Sequence, residues 1–443
     1  IASSRELLNR FVSFYSNASY TYDDKYVLSG SIRWDRSNLW GTNSKYQNKP
    51  LWSVGGSWNI YKEKFFQADF VDMLKLRASY GIGGNIGRNT APYLIASYYD
   101  SSLVDGMAGS VNTPPNKDIR WEKTTTVNVG VDFALFRHRL SGTIEYYNKY
   151  SVDLLAAING SPTQGFGYTT LMTNNGKMVN RGVEITLSGE IIRQKDFSWN
   201  ASLLYAFNRN KVKHISVQPS LWDSRISMPT SYPMVGKPLY GIYAYKWAGL
   251  NENGDPQVYD AENNVTSGPA RDYHALVYCG TTVPIHNASL TNVLRYKGFE
   301  FSAMLILDAV HKLRSSNIPS INMSNGRITS TAKGIVDRWT QPGDVTDVPR
   351  LLFSNDTENF NTHRTELYRY SDLFVYDASN IRLSNISLAY RVPAHWCKKI
   401  SLSGARLQFN VENVATFAFD SKANYDLGGK VKPNYVWGLY LNF

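Results

Sequence analysis

Apolar and polar residues alternate in the segment from residue 25 to residue 36. On one face this segment would carry Tyr26, Leu28, Gly30, Ile32 and Trp34. The other face would carry mainly charged and hydroxyl side chains, such as Arg33 and Asp35. Successive side chains of a β-strand point to opposite sides of the sheet, so a period of two predicts a strand with one apolar face.

The same period of two recurs along the whole chain. Each recurrence has the length of a strand and is bounded by turn-forming residues such as Gly, Asn, Asp, Ser or Pro. The pattern predicts about thirteen strands, and they cover residues 8–20, 25–36, 51–61, 73–82, 124–135, 140–150, 183–191, 197–207, 286–296, 299–307, 381–390, 405–413 and 435–443.

The predicted connections between these strands fall into two groups. Residues 136–139 and 296–298 are short hairpin turns, whereas segments 83–118, 208–284 and 310–378 are long and rich in Gly, Pro, Asn, Ser and Asp. Loops of that length count against a compact soluble domain. Short turns at one rim and long loops at the other are typical of bacterial outer-membrane barrels. The sequence therefore predicts an all-β, transmembrane antiparallel β-barrel with long extracellular loops.

The final predicted strand has the most regular apolar face. Every second position is apolar, and these positions are Tyr435, Trp437, Leu439, Leu441 and the terminal Phe443. Such a strand can close a barrel by pairing with its first strand, while its outward side chains meet lipid and interfacial aromatic residues. A soluble β-domain that ends on an aromatic residue by chance is the alternative, and the repeated alternation favours the barrel.

The sequence predicts no membrane-spanning helix. Such a helix needs about 20 mostly apolar residues in a row, whereas the best run, residues 303–307, is followed at once by Asp308. Aromatic residues make up 14% of the chain and there are 32 glycines, while the mean hydropathy is only -0.34. This composition is typical of strands and turns. In lipid, only helices and closed barrels satisfy every backbone polar group, so a membrane location requires a barrel.

The charge balance does not indicate a nucleic-acid partner. The 47 basic and 36 acidic residues leave a net charge of +11, but the charges are dispersed and no basic block appears. Solvated loops, some of them near lipopolysaccharide phosphates, explain the excess better. Cys279 and Cys397 fit no metal or redox spacing, and two unrelated thiols are favoured over a disulfide.

No catalytic or metal-binding motif is recognisable. The seven histidines are scattered, without a His-Glu-x-x-His pair, and no Gly-x-Ser-x-Gly elbow occurs. Residues 83–87 are rich in glycine but lack the lysine and hydroxyl of a phosphate-binding loop, which favours a turn. Residues 251–262 partly match a calcium loop, but Pro256 stands where that loop needs glycine, so a turn is again favoured over a cation site. We therefore expect no enzyme activity, no cofactor and no metal.

Seven blocks of the sequence, in order, carry a family resemblance. They are residues 31–66 (SIRWDRSNLWGTNSKYQNKPLWSVGGSWNIYKEKFF), 74–85, 119–133, 175–187, 235–256, 377–390 and 407–417. Through these blocks the chain resembles the SusC/RagA family of TonB-linked, or TonB-dependent, outer-membrane transporters over nearly its whole length. Arg36-Ser37 and residues 47–50 depart from the family pattern, which puts ligand contacts in doubt rather than the fold.

The resemblance implies a larger protein in the bacterial outer membrane. Residues 1–443 would be the C-terminal part of the barrel, about thirteen strands of roughly 22. The plug domain, the TonB-contacting segment, the first barrel strands and a secretory signal are expected to be absent from these residues. The implied partners are a SusD-like surface lipoprotein, TonB through the missing N-terminal part, an oligosaccharide or oligopeptide ligand, outer-membrane lipid and lipopolysaccharide, and the barrel assembly machinery.

Three functional hypotheses follow. An active transporter of glycans or peptides is favoured over a SusC-like barrel that serves as a structural or assembly platform for other surface proteins. A soluble carbohydrate-binding β-protein is disfavoured, because the repeated apolar face exceeds any tolerable exposed patch. The long loops offer aromatic residues for sugar stacking, although most of them would pack the loops. Trp222, with Asp223 and Arg225 beside it, is the predicted substrate contact.

Overall fold

The computed structural model describes residues 10–39, 41, 43–47, 49–87, 92–103, 106–160, 163, 170–219, 224–268, 272–323, 331–353, 362–428 and 432–443. The strands are β1 (Phe11–Tyr22), β2 (Tyr26–Ser37), β3 (Leu51–Asn59), β4 (Val71–Asn85), β5 (Ile95–Ser101), β6 (Gly106–Thr113), β7 (Glu122–Leu135), β8 (Leu140–Asn159), β9 (Thr170–Arg193), β10 (Phe197–His214), β11 (Gly241–Tyr245), β12 (Trp247–Leu250), β13 (Pro256–Tyr259), β14 (Val265–Thr266), β15 (Leu276–Thr281), β16 (His286–Tyr296), β17 (Phe299–Ala309), β18 (Lys312–Arg314), β19 (Asn322–Met323), β20 (Leu352–Phe353), β21 (Val375–Asp377), β22 (Asn380–Arg391), β23 (Gly404–Ala418) and β24 (Asn434–Asn442).

The helices of the described residues are short. They are α1 (Ser44–Gln47), α2 (Ser224–Ser227), α3 (Thr362–Arg369), α4 (Ala394–Lys398) and α5 (Asn424–Gly428). Single 3₁₀ turns cover Ile60–Lys62, Tyr273–Ala275, Lys333–Asp337, Asp372–Phe374 and Ser421–Ala423. Within the described parts of the chain, no helix is both long enough and apolar enough to span a membrane.

Thirteen of the strands form one sheet, in the order β1-β2-β3-β4-β7-β8-β9-β10-β16-β17-β22-β23-β24. Every strand predicted from the alternation lies in this sheet. The number of predicted strands and their places along the chain are therefore confirmed. The pairs from β1 to β8 and from β16 to β24 are antiparallel. Consecutive strands of the sheet are therefore neighbours in space, as in a meander.

Several strands are longer than predicted, and β8 and β9 exceed their predicted lengths most. The alternation ends near residue 150, but β8 continues to Asn159, and β9 begins at Thr170 rather than near residue 183. The added part of β9 contains Asn174 and Asn175, whose amides donate to the backbone oxygens of Asp153 (2.7 Å) and Ala156 (3.2 Å) in β8. Side-chain hydrogen bonds thus support pairing where the apolar period is lost, which the alternation could not reveal.

The chain divides into two compact units, Ile1–Ser188 with Phe207–Gln218 and Pro233–Leu239, and Gly189–Ala206 with Pro219–Tyr232 and Tyr240–Phe443. In the first unit, apolar residues meet in register across neighbouring strands. The pairs on one face include Tyr20↔Leu28, Ile32↔Trp52, Val54↔Tyr80, Leu76↔Val131 and Val129↔Tyr146. Many of these side chains are exposed, including Leu28, Tyr80 and Val129. An apolar face exposed across β1 to β8 matches the hydrocarbon core of a membrane.

The second unit has the same construction. Two apolar rows run across β17, β22, β23 and β24, and they are Phe299-Tyr390-Leu407-Leu439 and Phe301-Leu388-Phe409-Trp437. Leu388, Leu407 and Trp437 are exposed. The Phe409 and Trp437 rings lie 4.2 Å apart, so cross-strand aromatic packing also holds β24 in register.

In each unit, short turns and long connections leave opposite ends of the strands. In the first unit, β1 to β2 and β7 to β8 turn within a few residues, whereas β4 to β7 spans residues 86–121. In the second unit, β16 to β17 turns at Lys297 and Gly298, whereas β17 to β22 spans residues 310–379. A Cβ atom at Gly298 would lie 2.8 Å from the Arg391 oxygen, so this tight turn requires glycine. The predicted asymmetry of short turns and long loops is confirmed.

Candidate functional site

The face of the first unit that lies opposite the apolar rows is polar. Arg77 in β4 donates to Asp132 in β7, with its Nε atom 3.2 Å from the carboxylate, and it also contacts Glu145 in β8. The Thr143 hydroxyl adds a 3.0 Å hydrogen bond to Asp132. Charges at these positions need water or partners, so this face is suited to line an aqueous passage.

The polar face of the second unit has a comparable ion pair network. Glu300 in β17 accepts hydrogen bonds from Arg295 at 2.8 Å and from Arg406 at 3.1 Å. Further along the same strands, the Asn287 amide donates to Asp308 at 2.6 Å. Each unit therefore has one face suited to lipid and one face suited to water.

The long connections of the second unit are folded rather than structureless. We call residues 240–268, 272–285, 310–323, 331–353 and 362–379 the loop cluster. Its core contains the buried side chains of Ile321, Tyr368 and Phe374, with Trp247 packed against them. Short strands hold the cluster together, because β11 pairs with β15, β18 with β21, and β19 with β20. A cluster with its own core holds a defined shape at the ends of the barrel strands.

Arg364 of α3 is the central polar residue of the loop cluster. Its side chain is only 3% exposed, and its Nε atom lies 3.1 Å from Asp255, which also receives two hydrogen bonds from Arg350. The Arg364 guanidinium also donates to the backbone oxygens of Ile321 (3.1 Å) and Arg350 (2.7 Å). Burial lowers the pKa of Arg364, while Asp255 acts in the opposite sense. One buried arginine thus joins β13, β19, β20 and α3.

Arg314 has a similar function in the loop cluster. Its guanidinium donates to the oxygens of Tyr243 at 2.7 Å, of Arg369 at 3.2 Å and of Ser371 at 3.2 Å. Burial lowers the pKa of Arg314. Because one side chain satisfies three carbonyl groups, it connects β18, β11 and the C-terminal end of α3.

The segment that partly matched a calcium loop starts with a turn at residues 251–255, as the sequence favoured, and continues into β13. The Asn251 side chain accepts hydrogen bonds from the amides of Asn253 (3.0 Å) and Asp255 (2.9 Å). The Asp255 carboxylate is bound by Arg350 and Arg364. Among the described residues there is no group of three or more His, Cys, Asp or Glu side chains that could hold a metal ion.

The predicted substrate contacts lie in the connection between β10 and β16. Trp222 and Asp223 fall outside the described residues, so the structure says nothing of their placement. Arg225 in α2 is buried, and its guanidinium lies 4.8 Å from the ring of Tyr273 and 6.0 Å from that of Tyr243. Burial lowers the pKa of Arg225. Arg225 therefore packs against these two rings. Ligand contact by Trp222, Asp223 and Arg225 stays a prediction.

The aromatic residues of the long loops differ in exposure. Tyr243 is 1% exposed, and Trp247 packs on Tyr368 of the loop cluster core with 5.9 Å between the ring centres. Tyr98 and Tyr99, in the hairpin of β5 and β6, are 73% and 53% exposed. The expectation that some of these residues pack the loops therefore holds for Tyr243 and Trp247, whereas Tyr98 and Tyr99 are free to meet a ligand.

Sequence reasoning missed a group of basic residues around Tyr46 in the first unit. The ring centre of Tyr46 lies 4.6 Å from Arg120 and 5.8 Å from each of Lys45 and Lys49. Arg120 pairs with Asp153 at 2.8 Å, which raises the pKa of Arg120. The nearby Lys123 lowers the pKa of Lys49. Lys45, Tyr46 and Lys49 lie together in the β2–β3 connection, but Arg120 comes from the segment before β7, so no local sequence signal indicated that it meets them.

The C-terminal strand has the predicted alternation. β24 pairs with β23 along its whole length, and its apolar residues are exposed, with Trp437 at 78% and Phe443 at 93%. In the strand order, β1 and β24 are the two ends of the sheet. Closure of a barrel by Tyr435, Trp437, Leu439, Leu441 and Phe443 stays a prediction.

Comparison with known proteins agrees with this geometry. The sequence profile of the family described as TonB dependent receptor-like, beta-barrel matches residues 4–414. TonB-dependent receptor P3 of Formosa agariphila is 27% identical over 456 residues, which cover 97% of this chain and 43% of that protein. TonB-dependent receptor SusC of Bacteroides thetaiotaomicron is 25% identical over 427 residues, which cover 91% of this chain and 40% of SusC.

A solved structure shows the same fold. The structure of the RagAB peptide transporter superposes with a TM-score of 0.79 at 23% identity, over 98% of this chain and 48% of that chain. The chain spans less than half the length of each of these relatives. The match covers both the sheet and its long connections. The chain therefore belongs to the TonB-dependent receptor-like β-barrel family, a family of outer-membrane proteins.

Proposed function

We propose that this chain forms barrel wall and extracellular loops of an active transporter that imports an oligosaccharide or an oligopeptide. A SusD-like surface lipoprotein would lie over the loop cluster and deliver the ligand. TonB would supply the energy through a part of the protein outside these 443 residues. The proposal rests on family membership together with the two-faced sheet.

The observation that carries the proposal is the polar face of each unit. Arg77, Asp132 and Glu145 in the first unit, and Glu300 with its arginines in the second, present charged groups along strands whose opposite face is apolar. Paired charges suit the polar, water-facing interior of an outer-membrane barrel. Such a wall supports passage of a polar oligomer, because it lowers the cost of keeping the solute hydrated.

The substrate class stays open between glycan and peptide. RagAB is a peptide transporter, but at 23% identity its likeness to this chain supports the fold alone. Both ligands are elongated and polar, and both can be bound by aromatic side chains with neighbouring charged groups. Trp222 and Asp223 are proposed as such contacts, and Arg225 either joins them or holds the segment that follows them in place.

The test uses the full-length protein in the bacterium that encodes it. A deletion strain is complemented with the wild-type gene, and uptake of a fluorescent oligopeptide mixture and a fluorescent oligosaccharide mixture is measured with and without TonB. The proposal predicts that one mixture enters only when both the protein and TonB are present. Loss of surface proteins without any uptake defect would instead support the platform function.

A second measurement identifies the partners. The full-length protein is purified in mild detergent, and the proteins that accompany it are identified by mass spectrometry. A SusD-like lipoprotein in stoichiometric amount is the predicted result. Copurification of other surface or assembly proteins, with no such lipoprotein, would contradict the proposed mode of ligand delivery.

A further inference from the structure

A groove crosses the apolar face of the first unit near the short-turn ends of β1 to β4. Its volume is about 590 Å³, and its walls include Tyr22, Tyr26 and Trp58. The rings of Tyr26 and Trp58 are stacked with their centres 6.4 Å apart, and Tyr22 stacks on Tyr26 at 6.5 Å. The aromatic row thus forms a fixed ridge at one end of the groove.

The floor of the groove consists of small residues that meet in register. Gly56 in β3 lies opposite Leu28 in β2 on one side and Ala78 in β4 on the other, and Ala78 lies opposite Val129 in β7. Larger apolar residues surround these positions, so the face is depressed at Gly56 and Ala78. An unbranched hydrocarbon chain fits such a depression, because it maximises contact with the floor and both walls.

Charged residues of both signs lie where the groove reaches the turns. Asp23 and Asp24 form the β1–β2 turn and have exposed carboxylates, and Lys62 in the neighbouring turn lies 3.7 Å from Asp24. Glu63 is bound by Trp58 at 3.0 Å and by Tyr26, which fixes two of the wall residues. Lys62 and Asp24 are exposed and only loosely paired, so each can leave this ion pair and bind another charged group.

The orientation of the sheet decides which lipid can reach this groove. In bacterial outer-membrane barrels the short turns face the periplasm. The periplasmic leaflet consists of glycerophospholipids, whereas lipopolysaccharide occupies the outer leaflet. An acyl chain that enters from the short-turn side therefore belongs to a phospholipid.

We propose that this groove is a specific binding site for a zwitterionic glycerophospholipid of the periplasmic leaflet. One acyl chain would lie over Gly56 and Ala78. The phosphate would accept hydrogen bonds from Lys62, and the ammonium group would donate to the carboxylate of Asp24. The proposal depends on the membrane orientation of the sheet and not on the transported substrate.

The first test places a larger side chain on the floor of the groove. A Cβ atom at Gly56 would have its nearest neighbour, the Val27 oxygen, at 3.8 Å, so Gly56→Leu fits the backbone and occupies the floor. Gly83→Leu is the matched control, because its Cβ atom would also meet only one atom, the Thr124 oxygen at 3.9 Å, and the parity of β4 places it on the polar face. Heat-modified mobility in electrophoresis checks that both full-length variants fold.

Lipid retention is the readout. Full-length protein in mild detergent is supplied with equal phosphatidylethanolamine and phosphatidylglycerol, washed, and analysed by native mass spectrometry. We expect wild type and Gly83→Leu to keep phosphatidylethanolamine preferentially, and Gly56→Leu to keep at least five-fold less. Asp24→Asn, which removes the charge that would bind the ammonium group, should weaken the preference. Equal retention by wild type and Gly56→Leu would overturn the proposal, and so would equal retention of both lipids by wild type.

A second measurement needs no variant. Phosphatidylethanolamine with a photoactivatable group in its acyl chain is bound to the wild-type protein, and the labelled peptides are mapped. The proposal predicts that labels concentrate on residues 20–28 and 56–58. Labels spread evenly over the apolar residues of β1 to β8 would contradict a specific site. This test does not depend on whether Gly56→Leu folds.

Discussion

Replacing Arg364 by methionine should loosen the loop cluster while the large sheet stays folded. Methionine keeps an unbranched, flexible side chain but removes the charge and every donor. The change takes away the hydrogen bonds to Asp255, Asn322 and the oxygens of Ile321 and Arg350. These two carbonyl groups adjoin the β19–β20 pair, in which the Leu352 amide donates to Ile321 at 3.0 Å.

The size of the effect follows from burial. Removing one partner of a buried ion pair costs about 3–5 kcal/mol. Asp255 is 21% exposed and keeps Arg350 as a partner, so its own penalty is reduced. The Arg350 carbonyl loses the hydrogen bond from Arg364 at a cost of about 1–3 kcal/mol, whereas the Ile321 carbonyl keeps the hydrogen bond from the Leu352 amide. A loss of about 3 kcal/mol in the local stability of the cluster is therefore expected.

Hydrogen exchange followed by mass spectrometry measures this local stability. Because each 1.4 kcal/mol corresponds to a factor of ten, exchange at the Leu352 amide should become on the order of 100-fold faster. Arg369→Met is the control, since this exposed arginine lies on the same helix and its side chain contacts the Tyr370 ring at 5.8 Å. Peptides from β7 and β8 should be unchanged in both full-length variants.

Two results would refute this reasoning. If Arg364→Met and Arg369→Met exchange alike at Leu352, the buried network does not hold the cluster together. If Arg364→Met also accelerates exchange throughout β17 and β22, the cluster is not a separately stable element. Arg364→Lys, which keeps the charge without the forked geometry, should lie between wild type and methionine.

Three other predictions concern the C-terminal strand, the loops and a thiol. Phe443→Asp should lower the amount of barrel in the outer membrane more than a charged substitution in a loop; normal levels on immunoblots would refute its role in closure. Trp222→Ala should weaken binding of the imported oligomer, measured by titration calorimetry, with unchanged barrel yield; equal affinity would exclude Trp222 as a contact. Burial raises the pKa of Cys279 to about 11 from the ordinary 9.0, so its thiolate fraction near pH 8 is about 100-fold smaller than usual. Iodoacetamide should label it slowly and faster as the pH rises; rapid labelling at pH 8 would contradict this.

The large sheet was predictable because its two faces meet different solvents. A strand with lipid on one side and water on the other must alternate, and this requirement appears directly in the sequence at Leu28, Ile32 and Trp34. The strand ends were less predictable. In β9 the pairing continues through Asn174 and Asn175, which depend on the backbone of another strand rather than on an apolar period.

The loop cluster could not be predicted in the same way. Its strands are two to six residues long, too short to show a period, and its core joins residues far apart in sequence, such as Trp247 and Tyr368. Arg364 carries no local signal, because its partner Asp255 lies more than a hundred residues earlier. Arg225 is a similar case. Its polar neighbours in the sequence indicate a ligand contact, whereas the fold buries it beside two tyrosine rings that are distant in sequence.

The central claim is that this chain forms a barrel wall with lipid on one side and water on the other. Spin labels placed singly at residues 126 to 131 of β7 in the full-length protein, reconstituted in liposomes, test it most directly. Labels at Val127, Val129 and Val131 should be relaxed by oxygen, and labels at Thr126 and Asn128 by a water-soluble nickel complex. The same accessibility at all positions, or the reverse alternation, would contradict the claim.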